Sequence, residues 1–239
     1  SSTPPPPIPD PATLAALLDG PWSAPELGPR VVGVVVDADS GQVLADRGAG
    51  TPAIPASTTK LLTAAAALGS LPPTATFATR VVAGAAPGQI VLVGGGDPTL
   101  SGAPAGQPQL YPGAARLSDL AAALAAGAMT GPITSIVVDS SYFEGPTTGP
   151  GWDPADAPST FAAPIVATMI DGGRDAPATG GGEAALRSGA PDLAAGRALA
   201  AMLGVPADAV VAGAAPAGAA VLAEVRSAPL IDLVQQMLS

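Results

Sequence analysis

Residues 55–68 read PASTTKLLTAAAAL, followed by Gly69 and then by Pro72 and Pro73. Alanine and leucine are strong helix formers, and a glycine followed by prolines is a helix stop. The segment therefore reads as a helix from Ala56, with Ser57 and Lys60 on one face of its first turn. Lys60 is the only lysine in a chain with eight arginines. A guanidinium stays protonated, so arginine cannot replace an amine that must give up and take back a proton. A cation in the first turn also opposes the helix dipole, which together with desolvation favours the neutral amine. Such a lysine can take the proton of the Ser57 hydroxyl. The competing reading has Ser57, Thr58 and Thr59 capping the helix while Lys60 is solvated.

Composition narrows the chemistry. The sequence contains no histidine and no cysteine, which removes Ser-His-Asp and Cys-His nucleophile systems and most zinc sites. A serine–lysine pair is what remains for nucleophilic catalysis, and it needs no metal or organic cofactor. A net charge of -10 argues against nucleic acid or an anionic membrane surface as partner. The chain is 48% hydrophobic but only 3% aromatic, so its core is expected to be built of small and aliphatic residues.

In chain order, residues 1–11 form a proline-rich tether of polyproline type. A short helix comes next, with Leu14, Leu17 and Leu18 at helical spacing and an expected end at Gly20 and Pro21. Residues 31–37 and 42–47 read as a β-hairpin whose continuous apolar first strand is expected to be buried on both faces. After the Ser57 helix come strands at residues 76–82 and 89–93 and a turn at residues 94–97, in which Asp97 caps the next few residues. A phosphate loop is the other reading of that glycine run, but no lysine succeeds it. A helix at residues 118–127, a strand at 133–139 ending in Asp139, a helix at 191–203 and a strand at 205–211 complete an α/β pattern. Ser227 is read as the cap of a final amphipathic helix with Pro229 in its first turn.

Hairpin, loop and then a helix carrying serine-x-x-lysine is an order that resembles the serine penicillin-recognising enzymes. The GGGDPTLS stretch at residues 94–101, the DSSYF stretch at 139–143 and residues 162–174 resemble one branch of them, the class C low-molecular-mass penicillin-binding proteins. These are D-alanyl-D-alanine carboxypeptidases and endopeptidases. The resemblance implies an α/β (α+β) fold, part of a penicillin-binding and β-lactamase-like transpeptidase domain carrying an inserted small α/β domain. It divides the chain into the tether (1–11), the first part of the catalytic domain (12–72), an abbreviated inserted domain (73–222) and a return helix (223–239).

It further implies a serine-type D-Ala-D-Ala carboxypeptidase that acts on peptidoglycan stem peptides, is acylated by β-lactams, and works outside the cytoplasm. Ser57 would be the nucleophile and Lys60 its base. Asp139 would bind the amino end of a stem side chain, although the residues alone also read as a strand-end acid capping a turn. The chain has no asparagine and no second lysine, so the serine-x-asparagine and lysine-threonine-glycine motifs are expected in a C-terminal half that this chain does not carry. Two alternatives stand beside this reading. One is a catalytically inert wall-binding or scaffold module with a relic motif, and the other is a β-lactamase or esterase relative.

Overall fold

In the computed structural model, the structure describes residues 7–128, 131–175 and 185–239. Most of the proline tether, and the centre of the glycine- and alanine-rich passage at residues 175–190, lie outside them. The chain forms two compact units, Ser1–Thr59 and Lys60–Ser239.

The first unit is a helix and a hairpin. Helix α1 (Pro11–Trp22) starts with Pro11 behind the Asp10 cap, whose carboxylate accepts from the Thr13 amide and hydroxyl, both at 2.9 Å. It runs slightly past the expected stop, because Pro21 lies in the last turn and Trp22 packs over Gly33. A methyl group added at Gly33 would touch the indole at 3.4 Å. Strands β1 (Gly33–Val36) and β2 (Val43–Arg47) pair antiparallel. Their turn is held by Asp37, which accepts from the Ser40 amide at 2.7 Å. The expectation that β1 is buried on both faces is not met, since Val34 and Val36 are 48% and 45% exposed. Two strands cannot cover each other's faces.

The second unit holds the main core. Helix α2 (Thr59–Ser70) buries Ala64 against Leu230 and Val234 of helix α5 (Leu230–Leu238). Strands β3 (Ala78–Ala83), β4 (Gln89–Val93), β5 (Ser135–Asp139), β6 (Val210–Ala212) and β7 (Val221–Arg226) form one mixed sheet in the order β6-β5-β4-β3-β7. The β4-β5 and β5-β6 pairs are parallel, and the two β3 pairs antiparallel. Helices α3 (Leu117–Ala123) and α4 (Pro191–Leu203) are the connections that parallel pairing requires. Central β4 places Ile90, Val91 and Leu92 out of solvent on both faces, as a run of consecutive aliphatics allows.

Two features differ from the sequence expectation. Strand β7 crosses residue 222, where the inserted segment was expected to end, and pairs with β3 as the fifth strand. Ser227 does not cap α5. Its hydroxyl accepts from the Phe77 amide at 2.9 Å and donates to Ala228 O, while Leu230 N and Ile231 N donate to Ala75 O and Pro73 O. Tertiary pairing to the chain before β3 satisfies the helix start in place of a local side chain.

Candidate active site

Ser57 is exposed and lies in a 3-10 turn, Ala56–Thr58, two residues ahead of α2. The expected helix start at Ala56 is displaced because Ala56 adopts φ +47°, a left-handed conformation uncommon for a residue with a Cβ. Such strain costs about 1–3 kcal/mol and persists only where the surroundings enforce it. The turn is closed by the Thr58 amide and hydroxyl, which donate to Pro55 O at 3.1 and 2.5 Å. Lys60 comes next in the first turn of α2, also exposed. The boundary between the two units falls after Thr59, so what ties Ser57 to Lys60 is the three-residue spacing itself.

Within the second unit, Lys60 lines an open groove of about 640 Å³ with the glycine turn at Gly96 and Pro98, the Phe161 ring and Arg187. A cavity of about 510 Å³ adjoins it and shares Gly96, Pro98, Phe161 and Arg187. The sequence points to Lys60 and the glycine turn but not to Arg187 or Phe161. The signal available for these two is rarity, since the chain has eight arginines and three phenylalanines.

The glycine turn is shaped by close approach. A Cβ on Gly94 would lie 2.1 Å from Thr168 Oγ1 and 2.3 Å from Ala167 O, and Gly96 has φ +85°. Asp97 then caps as expected: Oδ1 accepts from the Thr99 amide at 2.8 Å and its hydroxyl at 2.6 Å, while Oδ2 is buried without a partner. Burial raises the Asp97 carboxyl above its ordinary value, against the two Thr99 hydrogen bonds, which lower it.

Asp139 does not line the groove. It is 6% exposed at the end of β5, with Oδ1 accepting from Ser141 N at 2.9 Å and Oδ2 from Ala215 N at 2.7 Å. Its carbonyl accepts from Gly94 N and from the Thr168 hydroxyl, both at 3.0 Å. Burial raises the carboxyl, but the Ser141 and Ala215 hydrogen bonds outweigh it and leave the group below its ordinary value of 3.8. A lowered value means that this carboxylate contributes stability above about pH 4, and that the contribution is lost as pH falls through the folded-state value. Asp139→Ala, which removes both acceptors, is expected to cost about 1–3 kcal/mol at neutral pH. Thermal melts of wild type and variant from acid to neutral pH should converge at the acid end. A constant gap across that range would show that the ionised carboxylate is not the source of the effect.

Residues 14–181 match the D-Ala-D-Ala carboxypeptidase 3 (S13) family. The chain belongs to this family. Among its relatives, a carboxypeptidase of Mycobacterium tuberculosis is 48% identical over 233 residues, covering 97% of this chain and 49% of that protein. The carboxypeptidase DacB of Mycolicibacterium smegmatis is 45% identical, covering 98% of this chain and 50% of its own. The D-alanyl-D-alanine carboxypeptidase of an Actinomadura strain is 36% identical over 143 residues, 57% of this chain and 24% of that protein. The S13 chain thus spans about half the length of the first two relatives. Penicillin binding protein 4 of Haemophilus influenzae shares the fold, with a TM-score of 0.61 at 20% identity over 87% of this chain and 58% of that one. The mixed α/β architecture expected from the sequence is therefore the one observed.

Proposed function

We propose that this chain carries the nucleophile of a serine-type D-Ala-D-Ala carboxypeptidase/endopeptidase acting on peptidoglycan stem peptides outside the cytoplasm. The observation that carries the proposal is the sole lysine, three residues after a serine, in a chain of the S13 family. Ser57 Oγ attacks the carbonyl of the penultimate D-alanine, and Lys60 accepts its proton. The C–N bond to the terminal D-alanine breaks, the proton passes to the departing amine, and water hydrolyses the Ser57 ester. The Ser57 N–H supplies half of the oxyanion hole. A β-lactam, an amide of similar shape, acylates the same oxygen.

A second half with the serine-x-asparagine and lysine-threonine-glycine motifs completes the site in this proposal. The exposed apolar side chains of each unit support it. Val34, Val36 and Val43 of the hairpin are 45–53% exposed, and Leu61 and Leu62 of α2 are 60% and 71% exposed. Asp139 is proposed to act from behind the pocket, fixing the β5 end and the residue 213–215 loop to the glycine turn, with the amino-group contact as the competing role. Among the described residues, no helix is long and apolar enough to cross a membrane.

The test is intact-protein mass spectrometry after incubation with benzylpenicillin, on this chain alone and together with the second half, and then peptide mapping. An adduct on Ser57 that requires both parts is the expected result. A folded sample with no adduct under either condition would favour the inert wall-binding module.

A further inference from the structure

Most aromatic residues of this chain lie away from its core, with Phe77 packed at the edge of the Ala64, Leu230 and Val234 cluster. The sequence holds seven (two Trp, two Tyr, three Phe), and among the described residues none belongs to the buried interior, which is aliphatic. Five of them, Phe77, Tyr111, Phe143, Trp152 and Phe161, line the two adjoining cavities of the second unit. Phe161 is 84% exposed, Phe143 44% and Trp152 41%. Buried aromatics supply more apolar contact than any aliphatic side chain, so placing Phe143, Trp152 and Phe161 at the rim of a groove leaves much of that contact unmade until something covers them.

The charges are distributed in the same way. Two of the nine basic residues, Lys60 and Arg187, line the cavities, and among the described residues no acidic one does, in a chain of net charge -10. Arg187 donates from Nη1 to Gly172 O and from its main-chain N–H to Ser159 O. Its Nε is buried with no acceptor. A guanidinium at a groove that no acidic residue lines among the described residues is complementary to an anion.

We propose that this groove binds the amino-sugar strand of peptidoglycan, in an inference that rests on the carboxypeptidase reading for the identity of the polymer. The apolar C–H faces of the pyranose rings stack on Phe143, Trp152 and Phe161, and the acidic groups carried by the strand meet Arg187. A stem peptide of small methyl-bearing and acidic residues offers flat aromatic rings no broad apolar face, whereas a β-linked pyranose does. The size fits, since ligand sites commonly span roughly 300–1,000 Å³.

Calorimetric titration of the chain tests the inference with three probes: the β-1,4-linked N-acetylglucosamine tetramer, glycan strands that retain their stem peptides, and free stem peptide. The strands and the tetramer bind, and free peptide binds more weakly than the strands. Phe161→Ala, at an exposed position where folding is unaffected by circular dichroism, weakens the tetramer roughly tenfold. Arg187→Gln weakens the anionic strands and leaves the tetramer unchanged. Failure of strands and tetramer to bind at millimolar concentration, or equal binding to wild type, Phe161→Ala and Trp152→Ala, overturns the inference. The benzylpenicillin adduct separates the two readings. An adduct on Ser57 without glycan binding removes this inference alone, and glycan binding without an adduct upholds the groove while removing the carboxypeptidase reading.

Discussion

Replacing Ser57 by alanine is expected to abolish the benzylpenicillin adduct and to lower D-alanine release by roughly 10⁴–10⁶-fold when the chain is assayed with the proposed second half, the range found when a nucleophile is removed from a group that acts as a unit. Lys60→Arg is the sharper variant. It preserves the positive charge, the approximate length and the high helix propensity of the residue, and so leaves the first turn of α2 and any anion attraction in place. What it removes is an amine that can give up and take back a proton, since a guanidinium stays protonated. If Lys60 is the base, acylation by benzylpenicillin falls by about 10²–10⁴-fold, with the larger share of the loss in the acylation rate and the smaller in the affinity of the initial complex. Stopped-flow or quench measurements at several drug concentrations separate the two. A Lys60→Arg variant that acylates at the wild-type rate would show that charge alone is needed and that the proton goes elsewhere. Glutamine at the same position removes charge and base together, and comparison of the two variants apportions the effect.

The parts of this fold that can be read from the sequence are those dictated by neighbours in the chain. Strand β4 is an unbroken aliphatic run ahead of a glycine turn, and helix α4 begins at Pro191 and ends before Gly204, whose left-handed φ of 69° forms the C-terminal stop. Their bounds follow from local chemistry. Strand β7 is not legible in this way, because alanine and glutamate are helix formers and an amphipathic helix comes directly after it. Its identity arises from pairing with β3, where Arg80 meets Glu224 at 2.5 Å across a separation of 144 residues. An exposed ion pair of this kind contributes little, so the strand is held by its ladder and by buried Ala223. Ser227 illustrates the same limit: as a residue type it is a cap, but the Phe77 amide reaches it first.

At the site, the spacing of Ser57 and Lys60 is visible in the sequence because only three residues of chain separate them. The left-handed Ala56 ahead of them is not, since alanine carries no signal for positive φ. Asp139 is legible as an acid at a strand end, but its two partners are not, because Ala215 approaches from a loop 76 residues away. The aromatic groove is hidden for a related reason. Phe77, Tyr111, Phe143, Trp152 and Phe161 are widely separated along the chain and share no local pattern, and only the tertiary fold assembles them.

The glycine turn beneath the groove yields the second large effect, and one whose sign can be checked within the same unit. Gly94 donates its N–H to Asp139 O, while a Cβ on it would sit 2.1 Å from Thr168 Oγ1 and 2.3 Å from Ala167 O. Neither neighbour can easily retreat. Ala167 O is main chain and accepts from Gly96 N at 2.9 Å, and the Thr168 hydroxyl is tied to Asp139 O. Both residues are buried, at 2% and 1% exposure. Gly94→Ala must therefore push the residue 167–168 segment away from β4, at an expected cost of about 3 kcal/mol, which lowers the melting temperature of a unit this size by roughly 6–12 °C. Gly69→Ala is the opposite case: it lies in the last turn of α2, at negative φ, with nothing within 4 Å of the added methyl. There the variant gains helix propensity and restricts the unfolded chain, raising stability by about 0.5–1 kcal/mol. Both substitutions make the same chemical change, so a difference in sign between their melts isolates the steric contact at Gly94. A Gly94→Ala protein as stable as wild type would mean that the turn yields freely, and that it does not hold Gly96 and Pro98 in place as the rigid floor of the groove.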